Sequence, residues 1–227
     1  MLFIIQTVSI DEIKEKIQSI IYKILKPRIF KAIEDGDDLK VIKLATRKRL
    51  RSSKGLYGES PLVACIQKGK SELACKLIAT GGHFEGDGSL ISASMCGDQQ
   101  VVDCLLKNGA DPDDASGNSE YHEGHTPLMW ATNRHHFGII KSLLAGGANI
   151  NAVSKDNTTA IMYTRKADAN DLVALKILLE YKPDISIRDW RGRNFIQEAQ
   201  DRARCSAKPE LLNLITTYYP ELAVGNA

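Results

Sequence analysis

Apolar residues along this chain recur as pairs of short helical stripes. From Gly124 to Asn151 the sequence reads GHTPLMWATNRHHFGIIKSLLAGGANIN. Thr126 places a hydroxyl where it can accept from the first unsatisfied N–H groups of a helix, and Pro127 is pre-set for the first helical turn. Leu128 and Ala131 give that helix its apolar stripe. Phe137, Ile140, Leu143 and Leu144 then make the stripe of a second helix, which Gly146-Gly147 ends by supplying a left-handed cap.

The same unit returns along the chain. Gly58 to Cys65 reads GESPLVAC, with Leu73, Cys75, Leu77 and Ile78 in the following helix and Gly81-Gly82 at its end. A further copy has Leu90, Ala93, Val101, Val102, Leu105 and Leu106, with Gly88-Ser89 in place of Thr-Pro. Asp156 to Asp184 is another, with Ala160 at the proline position and a turn stretched across Ala167–Asp171. The last begins at Asp189. Aligned on the leucine after Thr-Pro, the positions are Leu62, Leu90, Leu128, Ile161 and Ile196, spaced by 28, 38, 33 and 35 residues. Such a series is what stacked repeats give, with length differences absorbed in loops. The 38-residue interval is explained by a polar, acidic insertion over residues 112–123, where Tyr121 and His122 are the candidates for a binding loop.

The start of the chain differs. Ile10, Ile13, Ile17, Ile20, Ile21, Ile24 and Leu25 fall on one face of a helix, with Lys14, Glu15, Lys16 and Lys23 on the other. Two readings stay open: a cap over the first repeat, which a solenoid end needs, or a helix lying on a membrane surface or partner. The mixed-sign polar face favours the cap. Residues 29–44 carry a degenerate first unit, with Phe30 and Ile33 on its first helix, Gly36-Asp37 at the turn, and Leu39, Val41 and Ile42 on its second.

The T-P-L start and the length of about 33 residues resemble the ankyrin repeat. The resemblance implies an all-α solenoid of about six stacked helix-turn-helix units. On this reading the chain divides into an N-terminal apolar segment and amphipathic capping helix at 1–27, the repeats at 28–219 and a tail at 220–227. It also implies a protein-interaction module that binds a partner across the finger tips and the concave face of the first helices. Carried over residue by residue, the exposed position before T-P-L holds His125, Thr158 and Arg193. The concave position holds Trp130 and Tyr163, and the variable pair before the inner turn is Asn133 and Arg134, then Arg165 and Lys166. With Met129 and Met162, where the consensus has His, these make an aromatic, flexible and cationic patch suited to an acidic or aromatic partner segment. For the methionines, packing between repeats is the favoured role.

Composition adds little. The chain has 227 residues, 43% hydrophobic and 26% charged, with a net charge of +2, ordinary for a globular domain. Five cysteines without a CxxC pair point to free thiols in a reducing compartment and to a cytoplasmic location. No apolar run is long enough to span a bilayer. Arg47-Lys48-Arg49 and Arg51 admit a nuclear or nucleic-acid role, but no aromatic residues interleave with them for stacking on bases. An effector acting on host proteins or membranes is a further alternative. His122-Glu123-Gly124-His125 has the wrong spacing for a helical metal site and falls in a turn. His135-His136 sit at the turn between two helices, where a structural role is expected. No phosphate-binding loop or activated nucleophile is present, so we expect no catalysis, no cofactor, no metal and no small-molecule substrate.

Overall fold

A computed structural model describes residues 27–46, 50, 54–55, 59–83, 86–116, 123–164, 168–206 and 209–222. Within them the chain is a row of helix pairs. The first pair is α1 (Arg28–Asp35) and α2 (Asp38–Leu44), and the second is α3 (Pro61–Gln67) and α4 (Ser71–Ala79). Then come α5 (Ser89–Cys96) with α6 (Gln99–Lys107), and α7 (Pro127–Asn133) with α8 (Phe137–Ala145). The fifth unit joins a 3-10 helix (Ala160–Thr164) to α9 (Ala169–Leu179). The sixth joins α10 (Phe195–Ser206) to α11 (Pro209–Tyr218). Among the described residues the only β pairing is an isolated bridge between Arg188 and Asn194. The expected N-terminal helix and the candidate loop residues Tyr121 and His122 lie outside the described residues, as does nearly all of the basic stretch.

Helices of 7 to 9 residues, as most of these are, are marginal alone in water, so their stability comes from packing. They form two layers. The first helices stack α1 on α3 on α5 on α7, and the second helices stack α4 on α6 on α8 on α9 on α11. One apolar cluster runs through the array from Ile29 to Ile215. Leu62, Leu105, Leu128 and Leu143 are 0% exposed, and burying each such side chain contributes roughly 1.5–3 kcal/mol.

The helix ends follow the expected chemistry. Ser60 and Thr126 are extended N-caps whose hydroxyls accept from the N–H groups of Val63 at 3.2 Å and Met129 at 3.3 Å. The second helices of the second, third and fourth units close alike: the N–H groups of Gly82, Ala110 and Ala148 donate to the carbonyls of Leu77, Leu105 and Leu143. Gly81, Gly109 and Gly147 take positive φ there. In the fifth unit Lys182 adopts φ 49° at that place instead of a glycine.

Side chains join neighbouring units along two edges. At the inner turns, the Lys70 ammonium pairs with Asp38 at 2.6 Å, the Ser71 hydroxyl donates to Asp98 at 2.7 Å, and His136 meets the Met95 carbonyl at 3.4 Å. A Cβ at Gly97 would stand 2.6 Å from the His136 ring. At the opposite edge, Asp113 accepts the Asn149 N–H and Asn151 accepts the Asp184 N–H at 2.7 Å.

The structure departs from expectation at both ends and in the fifth unit. On α2 only Val41 is buried; Leu39 and Ile42 are 73% and 39% exposed. In the sixth unit Phe195 fills the core while Ile196 is half-buried, and Asn194 and Gln197 cap each other. The fifth unit lacks the proline and tightens to 3-10 geometry. Thr164 there donates to the carbonyl three residues back, Ile161, whereas Thr132 in α7 reaches four back to Leu128. The stretched turn is shorter than expected, because Ala169 to Asp171 already belong to α9, which Asp168 caps.

Asp98 caps α6 through the Val101 N–H and also holds Ser71 of the preceding unit. Asp98→Ala is therefore expected to lower stability by about 1–2 kcal/mol, read as a lower urea midpoint with an unchanged slope. An unmoved midpoint would show that the inner-turn contact carries nothing.

Candidate partner-binding site

On the resemblance, a partner would meet the inner-helix row and the hairpin fingers. Of the variable pairs before the inner turns, Gln67 and Lys68, Cys96, and Asn133 and Arg134 are exposed, while Met95 beside Cys96 is half-buried. Arg165 and Lys166 lie outside the described residues.

The rest of the anticipated patch is largely turned inward. Met129 and Met162 are 1% and 3% exposed and fill the packing between units, so they are not contact residues. His125 is 8% and Trp130 7% exposed. This corrects the exposed position expected for His125 and the open concave position expected for Trp130. The cause is mutual stacking. The His125 ring lies 5.7 Å from that of Trp130 and 5.9 Å from that of Tyr163, in the latter case edge-on. The Tyr163 hydroxyl also hydrogen-bonds the His125 Nε2. Three rings thus join α7 to the 3-10 helix of the next unit, leaving only Tyr163 half-exposed. Thr158 is half-buried in the hairpin, its N–H donating to the Ser154 hydroxyl at 3.2 Å. Arg193 is half-buried too, with its guanidinium 3.7 Å from the Glu198 carboxylate and 4.0 Å from that of Asp201.

A residue not anticipated as a contact stands out on the last finger. Trp190 is 66% exposed, and the Arg191 guanidinium lies over its ring at 4.8 Å, within cation–π range. The finger beneath is closely tied. The Asp189 carboxylate accepts the N–H groups of Arg191 at 2.9 Å and Arg193 at 3.0 Å, and Arg188 donates to the Gly192 carbonyl at 2.6 Å. Gly192 takes the φ of 75° that the tip needs. The Trp190 N–H donates to the Asp156 carbonyl of the preceding finger. That finger in turn pairs Lys155 with Glu123 at 2.6 Å. The sequence carried the signal: a tryptophan in D-W-R-G, at the tip of a hairpin, cannot reach the core.

Cys65, Cys75, Cys96 and Cys104 are free thiols, and burial suppresses the reactivity of Cys65 and Cys96. Burial pushes Cys65 up to about 12. Burial raises Cys96 as well, with Asp98 adding to it. Neither has the depressed pKa of a nucleophile.

Trp130→Ala is expected to cost about 3–5 kcal/mol through the cavity it leaves, and Tyr163→Phe about 0.5–1.5 kcal/mol through the lost hydrogen bond. Urea unfolding checks both; a neutral Trp130→Ala would mean that the ring cluster is not packed as described. Iodoacetamide at pH 8 should leave Cys65 unmodified in the folded chain and label it in urea, because only about one thiol in ten thousand with a pKa near 12 is ionised at that pH. Fast labelling of Cys65 in the folded chain would contradict its burial.

Comparison with known proteins places this architecture. Residues 90–189, the third to fifth units, match the family model described as ankyrin repeats in three copies. Over 133 residues the chain is 30% identical to FPV031, an ankyrin repeat protein of fowlpox virus (strain NVSL), an alignment covering 57% of this chain and 36% of that protein. The chain thus spans about a third of the length of that relative. Among solved structures it resembles the crystal structure of EF0377, an ankyrin repeat protein, with a TM-score of 0.69 and 22% identity over 84% of this chain and 96% of that one. At that identity the likeness speaks for the fold. With the capped helix pairs, the glycine-closed ends and the paired layers, these matches show that residues 90–189 are ankyrin repeats and that the array has the ankyrin-repeat fold.

Proposed function

We propose that this chain is a non-catalytic binding scaffold that holds a partner protein against its last finger and the exposed row at its inner turns. Ankyrin repeats are in general protein-interaction modules. The observation that carries the finer reading is Trp190, a large exposed ring on a finger whose backbone is fixed by Asp189 and Arg188. A rigid aromatic anchor loses little conformational freedom on binding, and tryptophan and arginine are the residues that most often dominate interfaces. Arg191 at the tip, with Arg134 and Lys68 along the exposed row, favours a partner segment that is acidic and presents an apolar or aromatic side chain. The free thiols among the described residues suit a reducing, cytoplasmic setting.

The test is a set of affinity measurements on a partner recovered with the full chain. Trp190→Ala should weaken binding about 30-fold, a hot-spot loss of about 2 kcal/mol, with the circular dichroism spectrum unchanged. Leu39→Ala, at the far end of the array, should leave affinity unaltered. Equal affinity of the wild type and Trp190→Ala would remove the finger from the interface.

A further inference from the structure

At the inner-turn edge between the fourth and fifth units, His135, Asp168 and Asp171 each offer a ligand atom, and the three atoms lie within 4.8 Å of one another. The three come from two neighbouring units. His135 is the turn residue after α7, Asp168 is the N-cap of α9, and Asp171 lies in the first turn of α9.

Asp171 is the unusual member. It is 1% exposed. Its Oδ1 lies 2.7 Å from the His135 Nε2, while its Oδ2 is buried with no hydrogen-bond partner among the described residues. A buried carboxylate is ordinarily paired at both oxygens or bound to a metal. Here one oxygen is left over beside a second carboxylate. His135 is unusual as well, holding φ 59° where the corresponding turns use Gly36, Gly69 and Gly97 at φ 76°, 67° and 77°. An imidazole at that place carries backbone strain that glycine would not.

We propose that His135, Asp168 and Asp171 bind a divalent transition-metal cation, with zinc the best fit. One imidazole and two carboxylates supply three ligands, and water completes a tetrahedral set. The nitrogen ligand argues against calcium and magnesium, which take oxygen. Two charges on the cation would match two carboxylates, and an Asp171 carboxylate bound through both oxygens would give its orphaned Oδ2 a partner as well. A cation about 2.0–2.1 Å from both ligand atoms needs them roughly 3.3 Å apart. The His135 and Asp171 side chains would therefore separate by about half an ångström from their hydrogen-bonded distance. The proton between them leaves to solvent, and His135 takes the tautomer protonated at Nδ1. Asp168 is exposed, so the cation has a route in. Bound there, it would fasten the fourth unit to the fifth, the unit whose first helix is the 3-10 segment.

Thermal unfolding of the full chain with zinc chloride tests this, using His135→Gly and Asp168→Asn as variants. His135→Gly supplies the residue that other turns already carry but takes the imidazole from Asp171, so its fold is checked by circular dichroism before zinc is added. Asp168→Asn keeps an N-cap acceptor. Zinc at a hundredfold excess over its Kd should raise the wild-type Tm by about 5–10 °C, and a chelator should reverse the shift. His135→Gly should show no shift, and Asp168→Asn should bind at least about tenfold more weakly. Calcium and magnesium should do nothing. Cobalt should give visible d–d absorption without a thiolate charge-transfer band. The proposal fails if zinc leaves the wild type unmoved, if it stabilises His135→Gly equally, or if the cobalt spectrum shows a cysteine ligand.

Discussion

Burial between neighbours is the constraint on which this molecule depends. A pair of helices of 7 to 9 residues cannot cover its own apolar faces, and no unit here owns a separate core. Leu128 and Met129 of the fourth unit lie in one cluster with Leu90 of the third and Ile161 of the fifth. The polar contacts at the inner turns and loop edges follow from that arrangement. They add modest energy, but they fix register: Asp98 against Ser71, and Asp113 and Asn151 against the backbone of the following loop. Apolar contact alone would tolerate sliding, whereas a carboxylate that must meet one particular N–H does not.

Much of this was legible in the sequence because it is local and repeated. Ser-Pro and Thr-Pro mark helix starts, paired glycines mark helix ends, and both were found where the pattern put them. The anticipated patch was legible only in part. Exposure at Asn133 and Arg134 depends on their position at a helix end, which periodicity gives. Exposure at His125, Trp130 and Tyr163 depends on whether rings from consecutive units meet, and they do. A position that faces solvent in one repeat is covered when a large side chain in the next reaches across to it. The 3-10 geometry of Ala160–Thr164 was hinted at by the missing proline, but its outcome also rests on Thr164 bonding back to Ile161.

His135 and His136 show how the same turn can serve two neighbours. Adjacent in sequence, they point to opposite sides: His136 to the carbonyl of Met95 in the third unit, and His135 to Asp171 in the fifth. The expected structural role holds for His136 in a plain sense. For His135 it extends to holding a buried charge.

Gly97 has a consequence for how this array can change over time. Its missing side chain is the space that the His136 ring occupies, with 2.6 Å between that ring and any Cβ placed there. The two positions sit 39 residues apart in different repeats, yet what can stand at 97 depends on what stands at 136. A side chain can enter at 97 only if the ring at 136 shrinks or swings aside, and copying one repeat over another by duplication would separate the pair. The third and fourth units are therefore fitted to each other at this contact, even though each reads in the sequence as an independent copy.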